Sequence, residues 1–238
     1  MPVRDLRHAL RTAAAAAGGL AGYSLPSTAL VFPPARRLFG VRAEIPDPAA
    51  VALTFDDGPH PQGTPRVLEL LATARAPATF FLVGEQVERF PELASAILAG
   101  GHEVALHCYR HVSLLRRSPA ATRDDLERAR RAIAEATGVE PRRYRPPYGI
   151  LTVPALRHAR RRGWETVLWR RDGRDWRAEA TPESIATRLL AGVHGGEVLL
   201  LHDADWYASP RSWERTAAAL ELVLERLDRG GLRPARLP

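Results

Sequence analysis

Apolar positions along the chain fall into short β-prone runs separated by longer stretches of helical period. The runs are residues 51–55, 78–83, 103–107, 143–145, 165–169, 198–202 and 232–237, and they read as strands. Between them, residues 65–74, 85–98, 119–136, 153–162, 182–190 and 212–228 read as helices. Thr64-Pro65 and Thr181-Pro182 set a capping hydroxyl before a proline at the first helical position. Gly100-Gly101, Gly138, Gly163 and Gly230-Gly231 follow the last periodic residue, as a left-handed C-terminal cap requires. This sevenfold alternation predicts an α/β fold of parallel strands with helical crossovers, either an open doubly wound sheet or a barrel.

Composition changes the picture little. With 238 residues, 45% hydrophobic and 26% charged, the chain suits one globular domain. The net charge of +7 would suit an anionic partner, but all 34 basic residues are arginine. Together with the alanine runs this looks like coding bias, and no recognition motif supports nucleic-acid binding. Residues 1–50 stand apart. Arg4, Arg7 and Arg11 precede an uncharged run over residues 12–35, the order of a signal or anchor segment, although Gly18, Gly19, Ser24, Pro26 and Ser27 interrupt it. Weak membrane association through residues 12–35 and an envelope or secreted location are the matching expectations. Pro33, Pro34, Pro46 and Pro48 suggest a linker over residues 33–50, leaving 51–238 as the folded domain.

Notable polar residues gather at the C-terminal ends of the expected strands, the edge where α/β folds build their sites. In Thr54-Phe55-Asp56-Asp57-Gly58-Pro59, two adjacent carboxylates repel unless one meets a cation and the other a proton or cationic group. His107 and His111, four residues apart, can face one ion, and with one carboxylate they make a facial triad with open positions. His102 and His158 lack such company and read as surface or satisfied core. Arg145-Pro146-Pro147-Tyr148-Gly149 is a stiff turn offering an arginine and a backbone N–H. Asp172-Gly173-Arg174-Asp175-Trp176 and Leu200-Leu201-His202-Asp203 complete the set. An aspartate beside a histidine fixes its tautomer and raises its pKa. Cys108 is the single cysteine, so no intramolecular disulfide forms. A nucleophilic thiol is not expected between two metal ligands.

In this order the five motifs resemble those of the polysaccharide deacetylase family, the NodB-type carbohydrate esterases, over about residues 51–237. The resemblance implies a distorted (β/α) barrel of about seven units and removal of acetyl groups from an N-acetylated amino-sugar glycan. It implies one divalent ion, zinc or else cobalt or nickel, held by Asp57, His107 and His111. Asp56 would be the base, held by Arg145. His202 would protonate the leaving amine, with Asp175 tuning it. The backbone N–H of Tyr148 would hold the oxyanion, and Trp176, Leu200 and Pro147 would shape the substrate pocket.

One position departs from the pattern: Cys108 stands where the family usually has a serine or threonine whose hydroxyl steadies the ligand loop, and a thiol is a weaker hydrogen-bond partner. Two other readings remain at this stage: an amidase acting on a small cyclic amide, and an inactive glycan-binding domain. The paired acid and base favour an enzyme.

Overall fold

A computed structural model describes residues 22–238. Nine strands form one sheet: β1 (Val41–Arg42), β2 (Ala50–Asp56), β3 (Thr79–Val83), β4 (Glu103–Cys108), β5 (Arg143–Tyr144), β6 (Glu165–Val167), β7 (Arg171–Asp172), β8 (Val198–His202) and β9 (Arg233–Ala235). Their order is β1-β6-β5-β4-β3-β2-β8-β7, and β9 pairs with the first half of β2. Every ladder between these strands is parallel. The chain just after β1 then reaches across to β8: Ile45 N–H donates to the Gly196 carbonyl at 2.7 Å, and Val198 N–H to that of Ala43 at 3.3 Å. The sheet thus curls into the distorted barrel expected, rather than the open doubly wound alternative.

Period-two alternation sorts the side chains of this sheet. Val51, Leu53 and Phe55 of β2 point outward and share one core with Val67, Leu71, Leu220 and Val223 of the helices. Their neighbours Ala50 and Ala52 join Phe81, Ala105, Val167 and Val198 in a smaller cluster inside the curl. Small residues there let the walls approach. The same parity carries Asp56, His107, Arg145 and His202 to the inner face at its C-terminal end.

Among the described residues, helices covering the outside include α1 (Pro33–Leu38), α2 (Gly63–Thr73), α3 (Gly84–Arg89), α4 (Pro91–Ala99), α5 (Pro119–Thr137), α6 (Val153–Arg161), α7 (Pro182–Leu190) and α8 (Ser212–Arg229). The Ser118 hydroxyl caps α5 and Gly138 ends it at φ 72°, while Thr181 and Ser184 form a reciprocal capping box on α7. Three expectations are corrected. The single helix over 85–98 is two, broken where Pro91 lacks an N–H and starts α4. Thr64 does not cap α2; its hydroxyl instead accepts from His60 N–H and donates to Asp203. Residues 33–50 are no linker, since Pro33 and Pro34 occupy the first turn of α1 and β1 pairs with β6. Of the signal or anchor run, residues 12–21 lie outside the described residues. Among those described, no helix is long and apolar enough to cross a membrane.

Candidate metal centre and active-site cleft

Asp57 follows β2 in a left-handed conformation, φ 76°, which aspartate tolerates better than most residues. The turn needs Gly58, because a Cβ there would lie 2.5 Å from an oxygen of the buried Asp203. Asp57 Oδ1 comes to lie 3.5 Å from His107 Nε2 and 3.4 Å from His111 Nε2. One ligand atom from each of the three residues falls within 4.8 Å of the others. Asp57 Oδ1 is buried and has no hydrogen-bond partner, a costly arrangement unless a cation completes it. His107 Nδ1 is 2.8 Å from the Arg145 carbonyl, which can only accept. That bond fixes the tautomer and leaves the Nε2 lone pair facing Asp57.

Charge favours the same outcome. Burial holds His107 and His111 at about 3, the first helped by Arg145 and the second by His107, so both imidazoles are neutral ligands. Burial pushes the Asp57 carboxyl up to about 7, opposed by His202 and reinforced by Asp56. Two neutral imidazoles and one carboxylate that is costly to ionise alone fit a divalent ion.

Arg145, just past β5, is fully buried. Its Nη1 donates to Asp56 Oδ1 at 2.6 Å and to the Thr54 hydroxyl at 2.9 Å, its Nε to the Val167 carbonyl at 3.3 Å. The guanidinium carbon lies 3.9 Å from the Phe81 ring centroid. Burial raises the Asp56 carboxyl above its ordinary range even though Arg145 pulls it down. Asp56 is thereby held in one rotamer and kept basic for a carboxylate.

On the opposite wall, Asp175 is fully buried, and one oxygen lies 2.9 Å from His202 Nδ1. The other accepts from His202 N–H at 2.7 Å and from the Thr216 hydroxyl of α8 at 2.9 Å. Burial opposes a charge on His202, but Asp175, with Asp57 and Asp56 behind it, carries its pKa up to about 10. The imidazole is a cation at neutral pH. Trp176 meets it edge-on at 5.4 Å between centroids.

A cavity of about 290 Å³ joins both walls, lined by Asp56, Asp57, all three of these histidines, Tyr148, Trp176 and Leu200. Tyr148, at φ 59° in the stiff turn, meets His111 edge-on at 4.5 Å. Pro147 is buried in that turn and does not line the cavity. Two lining residues were not singled out in the sequence. Trp169 packs near Arg145 at 5.7 Å, and Tyr207 stacks on His111 at 4.4 Å while its hydroxyl donates to Glu85 at 2.7 Å. Away from the cavity, His102 Nδ1 accepts from Ala78 N–H at 3.2 Å, and His158 pairs with Glu127 at 2.7 Å. Both histidines are structural.

Cys108 is buried on the outward face of β4, where burial keeps the thiol neutral. The ligand loop is steadied by another group. Asp125 of α5 accepts from Tyr109 N–H at 2.9 Å and Arg110 N–H at 3.1 Å, and pairs with Arg117 at 2.8 Å.

Comparison with known proteins agrees with this geometry. The chain is 39% identical over 211 residues to a chitooligosaccharide deacetylase of Bradyrhizobium sp. (strain ANU 289), covering 84% of this chain and 96% of that one. It is 37% identical to a peptidoglycan-N-acetylglucosamine deacetylase of Bacillus cereus, covering 77% of this chain and 84% of that one. A crystal structure of a peptidoglycan N-acetylglucosamine deacetylase with a bound N-oxidanyl-benzamide superposes with a TM-score of 0.79 at 29% identity, covering 85% of this chain and 92% of that chain. The family model for polysaccharide deacetylase matches residues 43–167, a span that holds Asp56, Asp57, His107, His111 and Arg145. The chain therefore belongs to the polysaccharide deacetylase family.

Proposed function

We propose that this deacetylase removes acetyl groups from an N-acetylated amino-sugar polymer or oligosaccharide of the peptidoglycan or chitin type, at the cell envelope or outside the cell. The observation that carries the reading is one cavity with a three-donor metal site, a carboxylate held by arginine on one wall and a cationic histidine on the other. A divalent ion bound to Asp57, His107 and His111, zinc in our reading, supplies Lewis-acid polarisation of the amide and acidifies the attacking water.

The remaining steps belong to the protein. Asp56 takes the proton of the attacking water, and its bond from Arg145 keeps the carboxylate aimed. The Tyr148 backbone N–H stabilises the charge developing on the carbonyl oxygen. His202, oriented by Asp175, donates a proton to the departing sugar amine, which cannot leave as an anion. Trp176 and Leu200 enclose the acetyl methyl group and exclude bulkier acyl chains.

Acetate release from N-acetylglucosamine oligomers and peptidoglycan fragments tests the reading, with zinc-loaded protein beside an Asp56→Asn control. Metal-dependent release lost in the control is expected. Ring opening of cyclic amides without acetate release would overturn it.

A further inference from the structure

The two histidines of the metal site are supported unequally. His107 Nδ1 has the Arg145 carbonyl, whereas His111 Nδ1 is buried and meets nothing beyond its own backbone. An imidazole turns broadly about its Cβ–Cγ bond. Metal-binding histidines ordinarily have that turn stopped by a hydrogen bond to the nitrogen that does not face the ion. For His111 the stop has to come from elsewhere.

It comes from the faces of the ring. Tyr207 stacks on His111 with centroids 4.4 Å apart and planes 17° from parallel, and Tyr148 makes an edge contact at 4.5 Å. Turning the imidazole would drive its edge into the Tyr207 ring. Tyr207 is itself fixed, because its hydroxyl donates to Glu85 at 2.7 Å and accepts from Gln86 Nε2 at 3.3 Å. Both partners belong to α3, where Glu85 N–H donates to the Tyr109 carbonyl at 3.1 Å. A closed circuit thus runs from the ligand loop through α3 and Tyr207 back to His111.

The loop over residues 203–211 that carries Tyr207 is equally constrained. The Trp206 indole N–H donates to the Pro59 carbonyl at 3.1 Å, beside the Asp57 turn. Ser209 N–H donates to the Trp176 carbonyl at 3.0 Å, and Asp205 lies 3.2 Å from His60 Nε2. His202 immediately precedes this loop. One segment therefore carries the cationic histidine at its start and grips the opposite wall of the cavity five residues further on.

We infer that Tyr207 is the positioning residue of His111, holding by its aromatic face the imidazole that no hydrogen bond from another residue holds. The inference rests on the reading of Asp57, His107 and His111 as ligands of one ion.

Chelator competition on the zinc-loaded full chain tests it. Tyr207→Leu, which fills the space without a flat face, should weaken zinc binding roughly tenfold, the scale of a lost support behind a metal ligand. Tyr207→Phe keeps the stack and should stay within about threefold of the wild type. With cobalt in place of zinc, the visible absorption bands should shift in Tyr207→Leu and return to their wild-type position in Tyr207→Phe. In the zinc-loaded wild type, a nuclear Overhauser contact between the rings of Tyr207 and His111 is expected, a reading that needs no variant to fold. Zinc affinity unchanged in Tyr207→Leu would overturn the inference, as would the absence of that ring-to-ring contact. Equal losses in both variants would also overturn it, by assigning the effect to the hydroxyl bridge. Wild-type protein that takes up no zinc or cobalt would instead overturn the ligand assignment beneath it.

Discussion

The inside of the barrel is polar at both ends, and the ends are built to different rules. At the N-terminal end, Glu103, Arg143, Glu165 and Arg42 close on one another, each acid meeting an arginine, and Arg143 also reaches the Pro238 carbonyl. At the C-terminal end, Asp56, Asp57, Asp175 and Asp203 share one arginine and one histidine, and oxygens of Asp57 and Asp203 are buried without partners. Glu103, Ala105 and His107 lie on one face of a single strand, so β4 joins a closed ion-pair network to an open ligand site within five residues. The lower end completes its own electrostatics. The upper end leaves work for an ion and a substrate, as expected where barrels place their sites.

Breaking the upper end at its base should have the largest effect. Asp56→Asn should lower kcat roughly 10³-fold, measured as acetate release from zinc-loaded protein, the scale of a lost general base. Asp175→Asn should come next, with a signature in pH. His202 sits at about 10, above the usual 6.5, and is protonated at neutral pH. Without Asp175 its pKa falls, so the alkaline limb of kcat/KM should move to lower pH by at least roughly one unit. The same raised pKa has a stability consequence in metal-free protein. The His202–Asp175 contribution is full below the unfolded value of 6.5 and is lost as pH rises through about 10. Urea midpoints across that window measure the loss.

A smaller effect is expected from Asp125→Asn, which weakens the grip on the ligand loop without touching the cavity. Zinc affinity, read by chelator competition, should drop roughly tenfold, as for other supports behind metal ligands. Cys108→Ser should change it by less than about threefold, because Asp125 already holds the loop. At the far end, Glu103→Gln should leave acetate release unchanged while costing about 1 kcal/mol of stability in urea. Loss of activity there would erase the distinction between the two ends.

Much of this was legible in the sequence because period two is a rigid rule. Asp56, His107, Arg145 and His202 each fall at the C-terminal end of a run, and the structure brings three of them to one cavity with Arg145 bonded behind Asp56. Tyr207 was not legible, since it reaches the cavity through the path of a loop, whereas Trp169 closes the 165–169 run with the parity of Val167 and was passed over as an apolar residue. Asp125 was hidden by its place on an amphipathic helix, where an acid reads as surface. β1 and β7 have two residues each, too few to show any period. The prolines of residues 33–50 suggested a linker because proline opens a helix as readily as it prevents one.

Arg145 serves the site through two different kinds of atom. Its guanidinium holds Asp56, and its main-chain carbonyl holds His107. Replacing the side chain removes the first support and leaves the second, because every residue brings a carbonyl. A lineage that changes this one codon keeps the grip on the ion and loses the aim of the base. A single change at a residue that is neither ligand nor base would thus suffice to carry this fold from enzyme toward a silent glycan-binding domain.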